Sequence, residues 1–163
     1  MGIKQKIRSF KKGIKNLIVW FPIIWKDRQF DQSWFYTIVI KKLELMEKAF
    51  KDDTLIENSD LFASQISKSL EAMKLLQNET YQVAIADELY SKWGEPKIFS
   101  KPLQSCPGYS AVKIKHENIN TKEDERNFKE EHQRALELMM EVEQKLLKDA
   151  FDTIRDNIQD WWI

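Results

Sequence analysis

Tryptophans set beside cations are the side chains of this chain best equipped for chemistry, and the chemistry is binding. Seven of its nineteen aromatic residues fall between Trp20 and Tyr36, in WFPIIWKDRQFDQSWFY, among Lys26, Asp27, Arg28 and Asp31. Flat rings stack on a heterocycle and cations pair with phosphate, so Trp25, Lys26, Arg28 and Trp34 form a candidate corner for a nucleotide-like ligand. Lys42 lies four residues after Ile38 and four before Met46, which places a cation on the expected apolar face of the following helix. Trp93 adds a third stacking surface, and His132 sits alone on an otherwise apolar seam. These seven residues are the candidate ligand set. Each also fits a structural account: rings as core, Asp27 and Arg28 as an ion pair, Lys42 snorkelling past a core edge, and His132 as a satisfied bundle histidine.

Catalytic and metal chemistry find less support. His116 and His132 belong to different segments, and neither forms a two-histidine helix pair, a Cys-x-x-Cys set or a zinc spacing. There is no phosphate-cradling glycine loop and no G-x-S-x-G elbow. Cys106 lies in a Pro-Gly turn with no identifiable base beside it. Acidic pairs such as Asp52-Asp53 and Asp87-Glu88 have the character of solvated surface. A non-enzymatic binder with no cofactor and no metal is therefore expected, with an enzyme using one histidine and a few carboxylates as the minority alternative.

The elements that must position these residues are helical. A chain of 163 residues with four glycines, four prolines and a third of its residues charged is expected to be a single all-α domain, a helical bundle carrying one irregular stretch. One cysteine suits a reducing cytoplasm. The zero net charge conceals an asymmetry: residues 1–26 hold seven basic side chains and no acid, leaving 19 basic against 26 acidic in the remainder. A basic arm on an acidic body favours contact of arm with body and disfavours nucleic acid as the main partner. The basic start followed by the nine apolar residues Leu17 to Trp25 imitates an export signal, but small residues at a cleavage site are missing and the run is too short to span a bilayer.

Ile3, Ile7, Phe10, Ile14 and Leu17 step by four and three, which predicts an amphipathic basic helix over the arm, residues 1–20. Docking on the body or on a second copy is the preferred role, and a membrane-surface contact is the alternative. Pro22 is expected to end or kink this helix near the aromatic corner. A second helix should start after Asp31 or Ser33 and run to about Phe50, with Phe35, Ile38, Val39, Met46, Ala49 and Phe50 inward. A third, capped by Asn58 or Ser59, should reach Asn78 with Phe62, Ile66, Ser69, Met73 and Leu76 inward, and a fourth should run from Thr80 to Trp93, ended by Gly94. Residues 95–118 lose the helical period. There Ala111 to His116 alternates as a half-exposed strand that could pair with Ile98-Phe99 across Cys106-Pro107-Gly108. Thr121 and Asp124 resemble a capping box, opening a helix to about Asp160. Phe128, His132, Ala135, Met139, Val142 and Leu146 give it a heptad seam, so a homo-oligomer through residues 121–160 is expected.

One stretch carries a resemblance. Pro22-Ile23-Ile24-Trp25-Lys26-Asp27-Arg28-Gln29-Phe30-Asp31, the aromatics Trp34 to Tyr36, Lys42-Leu43, Met46-Glu47 and the closing Trp161-Trp162 resemble a group of uncharacterised helical proteins of tailed bacteriophages. The resemblance implies a phage accessory protein in the host cytoplasm, one of whose jobs would be sequestering a host immune signal of the cyclic-nucleotide or ADP-ribose kind. The alternative it leaves open is a structural or host-protein-interaction factor with no small-molecule ligand.

Overall fold

The computed structural model describes residues 3–26, 32–52, 56–106 and 108–161, with Gln32 described by its backbone alone. The order is α1 (Ile3–Trp25), α2 (Gln32–Asp52), α3 (Ser59–Asn78), α4 (Thr80–Trp93), β1 (Pro96–Pro102), β2 (Ser110–His116) and α5 (Lys122–Asn157). The fold is mostly helical with a small hairpin insert, as composition and periodicity indicate. Two compact units divide the chain, residues 1–77 with 149–163, and residues 78–148.

In the first unit α3 is the core element. Its stripe Phe62, Ile66, Ser69, Met73 and Leu76 is buried as its spacing predicts, joined by Ala63, Leu70 and Ala72. Small residues let α3 and the end of α5 approach closely: Ser69 and Ala150 are both fully buried, and the Ser69 hydroxyl donates to the Ala150 carbonyl at 2.5 Å. Phe50 meets Phe62 edge-on at 5.4 Å, and Trp161 is buried with its indole N–H donating to Gln65 at 3.2 Å.

Two expectations fail here. The inward face of α2 is Tyr36, Ile40, Leu43 and Phe50, so the predicted stripe is rotated: Ala49 and Lys42 are exposed, and Phe35 is 49% exposed while stacking on Phe151 at 6.3 Å. Ile38, Val39 and Ile40 are consecutive, so apolar character faces several directions and periodicity alone does not fix the register. Pro22 does not end α1 either. The helix continues to Trp25, turning at Lys26, whose backbone N–H donates to the Ile23 carbonyl at 3.2 Å. That carbonyl also accepts a long 3.4 Å bond from the Trp34 indole N–H. Proline removes only one helical hydrogen bond and here lies in the last turn, where nearby groups satisfy the backbone.

In the second unit α4 ends at Gly94, whose N–H donates to the Tyr90 carbonyl at 2.8 Å. The strands pair antiparallel with Ile98 opposite Ile114 and Phe99 opposite Lys113. Both faces of the hairpin are largely exposed, where alternation led us to expect one buried face. A two-stranded ribbon has no second layer of its own, so its apolar side stays open. The Thr121–Asp124 box forms reciprocally: Asp124 N–H donates to Thr121 Oγ1 at 3.1 Å, and Thr121 N–H donates to Asp124 Oδ2 at 2.8 Å.

The burial pattern of α3 sets a stability contrast. Met73→Ala, at a site with no exposure, should cost about 2–5 kcal/mol in urea unfolding. Leu61→Ala, at a site 54% exposed on the same helix, should cost about 1 kcal/mol or less.

Candidate functional site

The best-formed site lies in the second unit, where the last turn of α4 receives the returning end of the hairpin. A helix leaves its final carbonyls without intrahelical partners, and here side chains and backbone from residues 116–118 supply them. His116 Nδ1 donates to the Gly94 carbonyl at 2.9 Å, Asn118 N–H to the Trp93 carbonyl at 3.1 Å, and Asn118 Nδ2 to the Lys92 carbonyl at 2.8 Å. Gly94 has a φ of 79°, and a Cβ there would stand 3.0 Å from Glu117 Cβ and 3.1 Å from its backbone nitrogen. Only glycine meets both demands.

With Nδ1 donating to a carbonyl, the neutral His116 ring keeps Nε2 as a hydrogen-bond acceptor. The ring lies 4.3 Å from Phe128 on α5, centroid to centroid, and 5.9 Å from Tyr90. Phe128 stacks in turn on His132, one helical turn onward, at 5.5 Å, and meets buried Trp93 edge-on at 6.0 Å. The two histidines that are separate in sequence thus flank one phenylalanine.

An open groove of about 570 Å³ runs over this cluster, between the hairpin and α5. Ile98 and Ile114, a cross-strand pair, form an apolar wall, and His116, Phe128 and His132 line the groove together with Lys129 and Glu125. Lys113 and Lys115 also border it, although the pleat sends their side chains from the opposite side of the ribbon to Ile114. Lys115 extends over the Phe99 ring, 5.9 Å from its centroid. Between Pro96 and His116 the chain holds four lysines and no acid, so the ribbon is cationic.

Trp93 is fixed by a carboxylate. Its Nε1–H donates to Glu131 Oε2 at 2.8 Å, while Lys92 donates to Oε1 at 2.5 Å and sits 5.0 Å from the Trp93 ring. The Lys92 hydrogen bond, then the Trp93 one, holds the Glu131 carboxyl below its ordinary value of 4.5. Among the described residues no group of three His, Cys, Asp or Glu is placed to hold a metal ion.

The chain matches no family model, no curated protein and no solved structure. The site therefore rests on its own geometry.

Of the seven residues expected to bind, Trp93 and His132 come together, both against Phe128, with His132 on the groove and Trp93 buried behind it. Trp25, Lys26, Trp34 and Lys42 belong to the first unit. There Trp25 is 77% exposed and stacks on Phe21 at 5.3 Å, Lys26 and Lys42 are exposed, and half-buried Trp34 is turned to the Ile23 carbonyl. Arg28 lies outside the described residues. The first unit has its own shallow groove of about 370 Å³, lined by Val19, Pro22, Ile23, Thr37, Ile40, Lys41, Glu44 and Gln77, and neither tryptophan borders it. Sequence reasoning missed Tyr90, His116, Phe128 and Lys129. A usable signal existed for two of them, since Phe128 precedes His132 by one turn and Lys129 shares that face.

Gly94→Ala should lower the unfolding free energy by at least about 1 kcal/mol in chemical denaturation, through strain at positive φ and the approach to Glu117. The depressed Glu131 carboxyl stabilises the folded state above its unfolded pKa, and that contribution disappears as pH falls through its folded value. Melting temperature should therefore decline below about pH 4.5, with a shallower decline in Glu131→Gln, as followed by thermal scans across pH.

Proposed function

We propose that the protein is a non-enzymatic binder of a nucleotide-like small molecule and that the groove between the hairpin and α5 is its site. One observation carries this assignment: Phe128 is held between His116 and His132 along an open groove of about 570 Å³ that Lys129 borders. The volume falls within the range of small-molecule sites. A heterocycle would lie over the Phe128 and imidazole surfaces against Ile98 and Ile114, its phosphate would take Lys129 and an N–H of His132, and His116 Nε2 would accept a hydrogen bond from a donor on the heterocycle. Of the residues nominated from sequence, His132 keeps a direct role and Trp93 becomes a supporting ring. Trp25, Lys26, Trp34 and Lys42 are not among the residues that line this groove, and Arg28 lies outside the described residues.

On the resemblance of residues 22–47 and Trp161-Trp162, the ligand would be a host immune signal, a cyclic nucleotide or ADP-ribose derivative, sequestered by a phage accessory protein in the host cytoplasm. Self-association through α5 fits the exposure of Leu136 and Met140, one turn apart on a single stripe of that helix. The second reading, an interaction factor without a small-molecule ligand, is favoured by α1, none of whose residues is buried.

Thermal shift across cyclic nucleotides and ADP-ribose derivatives tests the binding role. The correct ligand, at a hundredfold excess over its dissociation constant, should stabilise by about 2.7 kcal/mol and be recovered unchanged by mass spectrometry after heat release. A Lys129→Ala, His132→Ala double variant should lose that stabilisation, and a Lys26→Ala, Lys42→Ala double variant should keep it. Stabilisation that survives the first variant moves the ligand elsewhere, and none across the panel removes the nucleotide assignment.

A further inference from the structure

The arm α1 has an apolar stripe that the fold leaves uncovered. Ile3, Ile7, Phe10, Ile14, Leu17, Phe21 and Ile24 step by four and three along its whole length, and their exposure runs from 43% at Ile14 to 79% at Ile3. Residues 3–18 are exposed without exception, and only Val19, Trp20 and Ile23 are half-buried. Such a stripe in water loses the favourable transfer that normally holds an amphipathic helix to its protein. The stripe is open to an occupant.

The residues beside the stripe select the occupant. A second α1 would form a two-stranded seam, in which Lys4, Lys6 and Lys11 occupy the flanking positions that need opposite charge. Seven cations and no acid over residues 1–26 make that pairing repulsive. The apolar arc is also wider than a two-helix seam requires, because exposed Ile18 and Trp25 extend it on one side. A broad arc carrying Phe10, Phe21 and Trp25, bordered by lysines and arginine, has the chemistry of a helix lying in the headgroup region of an anionic bilayer. No helix among the described residues is long and apolar enough to cross a membrane, so the contact is with the surface.

We infer that α1 is a membrane-surface anchor that lays its Ile3–Trp25 apolar arc into a bilayer of anionic phospholipid while its cations engage the headgroups. The anchor is independent of the groove in the second unit and holds whether or not that groove binds a nucleotide.

Flotation of the full chain with extruded vesicles tests this. The protein should float with phosphatidylcholine vesicles containing about a quarter phosphatidylglycerol, and at least about tenfold less with phosphatidylcholine alone. Phe10→Glu with Leu17→Glu, both at exposed positions, should reduce flotation at least about tenfold while leaving the melting temperature unchanged, which separates loss of anchoring from loss of fold. Absence of flotation on the anionic vesicles overturns the assignment. Equal flotation of the variant overturns it too, because charge alone would then account for binding. So does an oligomer in sedimentation that the variant converts to monomer while vesicles have no effect, since the stripe would then belong to a second copy.

Discussion

The close approach of α3 to the end of α5, set by Ser69 and Ala150, organises the first unit. Neither residue has a side chain large enough to hold the helices apart, and the hydroxyl of Ser69 needs a partner because it is wholly buried. The Ala150 carbonyl supplies one, eighty-one positions away in sequence. Around that contact Ile66 and Met73 pack without exposure, and α2 and Trp161 close the sides. Among the described residues, no buried side-chain nitrogen or oxygen lacks a hydrogen-bond partner. Once these elements have covered one another, α1 contributes no buried residue, which is why its apolar stripe faces outward.

The second unit solves a different problem. A hairpin of two strands cannot bury itself, and α4 ends in carbonyls that need donors. His116 and Asn118 satisfy those carbonyls and fix the ribbon to the helix end, and Gly94 permits the contact because it lacks a Cβ. The apolar side of the ribbon then lies across an open groove from Phe128 and His132 of α5. Residues held for structural reasons thus leave rings along a common surface that Lys113, Lys115 and Lys129 border.

The sequence was legible where a single strong period or a local cap decides the outcome. The α3 stripe, the Thr121–Asp124 box, the stop at Gly94 and the pairing of Ile98 with the strand after Ser110 could all be read from spacing and turn chemistry. It was not legible where apolar residues run together. In α2 the succession Ile38-Val39-Ile40 permits more than one register, and Tyr36 rather than Phe35 turns inward, carrying Lys42 out to solvent. The groove stayed hidden for another reason: His116 and Phe128 come from a strand and a helix, and no local pattern announces a ring contact between them. Aromatic density near Trp20 to Tyr36 drew attention to the first unit because clustering in sequence is visible and clustering in space is not.

Whether the imidazole–phenylalanine cluster is a ligand surface can be settled by NMR on protein labelled at histidine, phenylalanine and tryptophan side chains, titrated with cyclic nucleotides and ADP-ribose derivatives. The account predicts that His116 carries its proton on Nδ1, that one of these ligands shifts the His116, His132 and Phe128 ring signals together, and that the Trp25 and Trp34 indole N–H signals stay in place. Shifts confined to Trp25 and Trp34, or no shift in the His116–Phe128–His132 cluster with any ligand, would contradict it.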